Sequence, residues 1–173
     1  MITDERTTRH ERVMSAVGQM MTAARTAPKG KGVDIIEITA VEGDDIRILS
    51  EKTRELGEMH SYGFFLRDAE NILSAEAIIL IGTRTAEQGL NCGYCGYPTC
   101  IAKPAPVPCA INSVDVGISI GSACAIAADL RLDTRVMFSV GYSARTLNIT
   151  QGNNTVIAIA VSASSKNPFF DRK

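Results

Sequence analysis

Apolar residues recur at three- and four-residue steps over residues 5–27, with Val13, Val17, Met20, Met21 and Ala24 on one face, which predicts a helix. Pro28 ends it, and Lys29-Gly30-Lys31-Gly32 reads as a flexible basic turn. Val33–Val41 is rich in β-branched residues and predicts a strand. Gly43-Asp44-Asp45 breaks that strand, with Asp44 or Asp45 placed to cap a helix running to Met59. Ile46, Leu49, Leu56 and Met59 share one side of that helix. A short helix is expected over Arg67–Ser74. Ala77–Ile81 is apolar at every position, as in a strand central to a sheet.

The pattern then fails. Residues 82–111 hold four of the five cysteines, four of the six prolines and four glycines, with little periodicity. It resumes at Asn112–Leu130, an apolar helix with small residues at Gly117, Gly121, Ser122, Ala123 and Ala125. Its apolar positions cover most of the circumference, which predicts burial on several sides. Thr134–Val140 predicts a strand, residues 148–154 a polar turn, and Thr155–Ser162 a last strand before a polar tail. The order of elements predicts one α+β or mixed α/β domain over 1–173, with 82–111 as a Cys-rich insert.

Length and charge narrow the function classes. At 173 residues one domain with its own core is expected. The 18 basic and 19 acidic side chains leave a net charge of -1, which argues against a nucleic-acid binder. Trp is absent and aromatics make up 5%, so base-stacking platforms are poorly supplied. The polar stretch Met1–Glu11 has no apolar signal core, and no run reaches the ~20 apolar residues of a membrane span. A cytoplasmic protein without a membrane partner is expected. In that reducing compartment clustered cysteines bind metal or do redox chemistry more often than they form disulfides.

The cysteines carry the candidate chemistry. Cys92, Cys95 and Cys100 follow a C-x2-C-x4-C spacing, and Cys109 lies nine positions on. The C-x2-C step lets two thiolates converge, and Gly93 and Gly96 let the backbone curl around a metal centre. Four Cys thiolates are the usual ligand set of a [4Fe–4S] cluster. A structural zinc site with four cysteine ligands and a redox C-x-x-C dithiol are the competing readings. Cys124, alone on the apolar helix, reads as a small buried hydrophobe, or as a fourth ligand in place of Cys109.

The stretch Asn91–Cys100 resembles the iron–sulfur motif of ferredoxin-like domains in carbon monoxide dehydrogenase/acetyl-CoA synthase systems. Over nearly its full length the chain resembles a family of prokaryotic ferredoxin-domain-containing proteins. Ala23–Gly32, the cysteine segment, and Asp115–Ile118 through Gly121–Ala123 carry that resemblance. Outside the insert the scaffold is similar to the nitroreductase fold, through the Ala23–Pro28 helix end before a strand and the Asp115–Leu130 helix before the closing strands. This resemblance implies a three-layer α+β scaffold, a mixed or antiparallel sheet flanked by helices. It also implies a homodimer with Asp115–Leu130 near its centre, and FMN at the subunit interface. Arg6, Arg9, Arg25, Lys29 and Lys31 are then the candidates to neutralise the flavin phosphate; otherwise they form a solvated basic turn and helix face.

Of the remaining polar residues, His10 and His60 suit surface or helix-end roles. Tyr94 and Tyr97 flank ligands and are expected to shield the centre from water. Asp115 and Asp129 read as helix-terminal or surface charges, and Arg84 as a strand end near the insert. No Ser/His/Asp triad, P-loop or GxGxxG motif is present. The expectation is an iron–sulfur electron-transfer protein with an unnamed redox partner. The rivals are a flavin-dependent oxidoreductase fed by the cluster, and a non-catalytic zinc module.

Overall fold

The computed structural model describes residues 2–150 and 153–170. Helix α1 (Glu5–Thr26) leads through a 3-10 turn (Gly30–Gly32) to β1 (Ile36–Val41). Next come α2 (Asp44–His60), α3 (Gly63–Ile72) and β2 (Ala77–Arg84). A long loop then joins β2 to α4 (Ala110–Asp129), and β3 (Asp133–Met137), α5 (Phe138–Thr146) and β4 (Asn153–Ser162) follow. The strands form one antiparallel sheet in the order β1-β2-β4-β3, so β2 is central as expected.

The apolar run in β2 follows from cover on both faces. Side chains alternate across a strand. Ala77, Ile79 and Ile81 point to one layer, with Val13, Val17, Met20 and Ala24 of α1 and Val116, Ala123 and Ala127 of α4. Ile78 and Leu80 point to the other, with Ile46 and Leu49 of α2, Ile72 of α3 and Val140 and Ala144 of α5. Strand β4 divides in the same way, Ile159 and Val161 against Val156, Ala158 and Ala160. Helices on both faces of a sheet make the three-layer α+β architecture.

Several boundaries differ from the sequence expectation. Gly43, at φ 60°, is the N-cap of α2, and Asp44 and Asp45 fall in its first turn, where carboxylates favour the positive end of the helix dipole. Met59 is exposed beyond the buried stripe of α2. Helix α3 begins at Gly63, four residues before Arg67. The expected strand Thr134–Val140 stops at Met137, and Phe138–Thr146 is helical. Tertiary contacts override the β-branched pattern there. The Ser139 hydroxyl donates to buried Asp68 of α3 at 2.5 Å. Gly141 lies so close to the Val156 carbonyl of β4 that a Cβ has no room. The polar turn over 148–154 falls partly outside the described residues.

Helix α4 departs most from its pattern. Its buried positions are Asn112, Asp115, Val116, Ser119, Ala123 and Ala127, a single face that is half polar. Val114 and Ile118 are exposed on the other side. The helix is therefore not buried on several sides within one chain. By length and composition it is the one described helix apolar enough to cross a membrane. Here it packs in the core layer against α1 and the sheet.

His10 ties α1 to the ends of two strands. Its Nδ1 lies 3.1 Å from a Glu76 carboxylate oxygen and its Nε2 3.1 Å from one of Glu42. Only the doubly protonated ring donates to both. The Glu76 hydrogen bond raises the His10 pKa above 6.5, partial burial opposes it, and Glu42 adds to it. A raised folded-state pKa contributes stability that is full below about pH 6.5 and is lost as pH rises through the raised value. The denaturation midpoint of the wild type is expected to exceed that of His10→Gln in mild acid, with the gap closing above neutrality. A gap independent of pH would contradict the clamp.

Candidate metal centre

The loop between β2 and α4 leaves the central strand and returns to the first turn of a core helix, so both its feet are fixed. Asn112 of α4 donates from Nδ2 to the Ala86 carbonyl at 2.5 Å. Lys31 of the basic turn donates to the Gln88 carbonyl at 2.9 Å. On the returning arm the buried Lys103 ammonium donates to the Val107 carbonyl at 2.7 Å and pairs with Glu87 at 3.2 Å. That pair joins the two arms.

Further out, a second contact joins them. The Asn91 side-chain oxygen accepts the Cys100 backbone N–H at 2.8 Å, and the Cys100 sulfur accepts the Asn91 N–H at 3.4 Å. Within the ring so closed, Gly93 and Gly96 adopt φ of 73° and 87°, and the Gly96 N–H donates to the Gly93 carbonyl. Such left-handed backbone suits glycine. It bends the chain back between Cys92 and Cys95.

The cysteines are thus displayed unequally. Cys92 is exposed, Cys95 and Cys100 are half-buried, and Cys109 is buried at the N-cap of α4. All five cysteines are free thiols. Cys124 lies on the same helix, fifteen residues past Cys109, which is about 22 Å at the helical rise. Burial raises its thiol pKa and a hydrogen bond with Thr134 opposes that, as for a packing residue. Cys124 is therefore remote from Cys109, the thiol at the foot of the cysteine loop.

The donor set fits a thiolate-bound cluster in its chemistry. Four unpaired thiols share one irregular loop, and a backbone N–H already points at one sulfur. Their sulfurs are not gathered, however. Among the described residues no three His, Cys, Asp or Glu side chains lie together as a metal-holding group. A metal held by these thiols would need their sulfurs drawn together, which would couple its binding to a local rearrangement.

The expected shielding by Tyr94 fails, since its side chain is 77% exposed. Tyr97 is half-buried. Arg84 is an exposed strand end paired with Glu37 at 2.6 Å.

The five basic residues assigned to a flavin phosphate do not converge within one chain. Arg6 and Arg9 lie in the first turns of α1, and Arg25 in its last. The 22-residue helix holds the two groups about 30 Å apart. Most also serve the fold. Arg9 pairs with Glu5 at 2.7 Å and Arg25 with Asp34 at 2.8 Å. The Lys29 ammonium donates to the Ala24 carbonyl at 3.0 Å and the Ala27 carbonyl at 2.7 Å, capping α1, and burial lowers its pKa. These residues do not form a phosphate grip in one protomer, so no flavin step is derived from them.

Two residues gain roles that the sequence reading missed. Asp115 is 2% exposed, not a surface charge, and both its oxygens accept the Gly30 N–H at 3.0 and 3.1 Å. Asn91 closes the cysteine ring. Its signal was the residue type itself, since Asn tolerates the left-handed φ of 48° found there.

Residues 105–172 match the family described as uncharacterized protein containing a ferredoxin domain (DUF2148). A protein of Archaeoglobus fulgidus is 36% identical over 182 residues, covering 99% of this chain and 98% of its own length. The chain belongs to this ferredoxin-domain family. Among solved structures it is similar to a nitroreductase with bound FMN from Bacteroides fragilis, at a TM-score of 0.62 and 10% identity over 92% of this chain and 81% of that one. A nitroreductase with bound FMN from Desulfitobacterium hafniense gives 0.60 and 14% identity over 96% and 80%. The fold of this ferredoxin-domain protein is nitroreductase-like.

The contact beneath the loop is open to a stability test. A Cβ on Gly30 meets the Ile111 side chain at 2.6 Å. Gly30→Ala is expected to cost about 1–3 kcal/mol through overpacking. Asp115→Ala is expected to cost about 1–3 kcal/mol by stranding the Gly30 N–H. Because the two act at one contact, the double variant should lose less than the sum, read from urea midpoints. Additive losses would show that the contact is not shared.

Proposed function

We propose that this chain is an iron–sulfur redox protein, holding one [4Fe–4S] cluster through Cys92, Cys95, Cys100 and Cys109. One observation carries the reading. Three free thiols sit on a ring closed by an N–H to sulfur bond, and the fourth stands at the loop's fixed end on α4. Membership of a ferredoxin-domain family supports it. When bound, the cluster would supply one-electron transfer. The chain's own residues offer the Asn91 N–H to the Cys100 sulfur and keep Cys109 from water. Five unpaired thiols suit a reducing compartment such as the cytoplasm. The redox partner is a separate electron donor or acceptor, and nucleic acid and membrane have no part in this reading.

Anaerobic purification, with a visible spectrum and counts of iron, sulfide, zinc and flavin, tests it. About four iron and four sulfide per chain are expected, as one [4Fe–4S] cluster requires. A broad brown absorbance should accompany them and fall sharply in Cys100→Ser. One zinc per chain without iron or sulfide overturns this reading in favour of a structural zinc site on the same four cysteines. Stoichiometric FMN alongside the iron moves it to a cluster-fed flavin oxidoreductase.

We further infer a homodimer built on α4. Its outer face presents Val114, Gly117, Ile118, Gly121, Ala125 and Ala128, an exposed stripe of apolar and small residues. Such stripes let helices approach closely. Sedimentation is expected to show a dimer for the wild type and a monomer for Ile118→Glu. A monomeric wild type at micromolar concentration would rule the dimer out.

A further inference from the structure

We propose that Asn91 is a positioning residue of the cysteine site, closing the ring that carries Cys92, Cys95 and Cys100 before any metal arrives. The inference rests on the metal-binding reading above and deepens it. Asn91 and Cys100 meet through two reciprocal contacts, side-chain oxygen to Cys100 N–H at 2.8 Å and Asn91 N–H to Cys100 sulfur at 3.4 Å. The first fixes the ring's width; the second places a donor on a ligand atom. Neither serves the hydrophobic core, since both residues lie outside its two clusters.

Physical chemistry gives this contact a cost to offset. Gathering four thiols on an open loop loses chain entropy, and a preformed closure removes part of that loss from the binding step. Asn91 suits the task in two ways. It accepts the left-handed φ of 48°, and its carboxamide reaches across to Cys100. The pair of buried Lys103 with Glu87 lies behind it and holds the same two arms. The ring thus has two cross-links, one polar and uncharged at the thiols and one ionic at the base. Charge is kept away from the thiols at the outer link, where four thiolates would already crowd negative charge.

Anaerobic titration of the full-length apo chain with Co(II), read by sulfur-to-cobalt absorbance, tests the proposal. Asn91→Gly keeps the backbone conformation and removes the side-chain acceptor. It is expected to weaken Co(II) binding about 10–100-fold, the usual loss when a group supporting a ligand is removed. Its melting temperature should stay near that of the wild type. Asn91→Asp keeps the acceptor and should restore most of the affinity. After loading with iron and sulfide, that variant should have a lower reduction potential, because it adds a negative charge beside the thiolates. A purely structural role would not give this split. Co(II) binding by Asn91→Gly as tight as the wild type overturns the proposal alone. A wild type whose thiols take up no Co(II) overturns the metal-binding reading and this proposal together.

Discussion

Cover on both faces of β2 is the constraint from which the rest of the architecture follows. Its side chains alternate between two separate cores, so helices must pack on each face of the sheet. Helices α1 and α4 fill one layer, and α2, α3 and α5 the other. Strand β2 is antiparallel to both of its neighbours, β1 and β4, and is held in the middle of the sheet. Its far end, Arg84, is thereby a fixed point. The cysteine loop starts there and ends on α4, another part of the same core.

This placement explains how an irregular loop can serve as a defined site. Ala86, Gln88 and Val107 are all held through their carbonyls, by Asn112, Lys31 and Lys103. The loop's outer part carries Cys92, Cys95 and Cys100, of which Cys92 is exposed. Fixed feet under a freer tip would suit the metal site proposed for this loop. The basic turn below it belongs to the same assembly. Lys29 caps α1, Lys31 holds the loop, and the Gly30 N–H is taken by Asp115. Lys29 and Lys31 of this turn are thus engaged within the fold.

Helix α4 reverses the usual reading of an amphipathic helix. Asn112, Asp115 and Ser119 turn inward, while Val114 and Ile118 turn out. Gly30 reaches Asp115 and Ala86 reaches the Asn112 amide, whereas the Asn112 side-chain oxygen and the Ser119 hydroxyl are buried without a partner among the described residues. The outward apolar stripe is the surface on which we propose a second copy of the chain packs. One helix thus anchors the cysteine loop, fills half of a core layer and turns an apolar stripe to solvent.

The sequence by itself determined the elements whose pattern is strong and local. The stripe of α1, the stop at Pro28, the two-sided apolar run of β2 and the cysteine spacing are all legible because periodicity, proline geometry and ligand number act over a few residues. The separation of four loop cysteines from Cys124 was legible for the same reason. Tertiary structure decided the rest. It turned Phe138–Thr146 into a helix, because Asp68 and the close approach to β4 outweigh β propensity. It buried Asp115 and gave Asn91 a partner nine residues away. Each of these depends on which distant groups meet. That is set by packing around the central strand, and residue types in sequence order do not encode it locally.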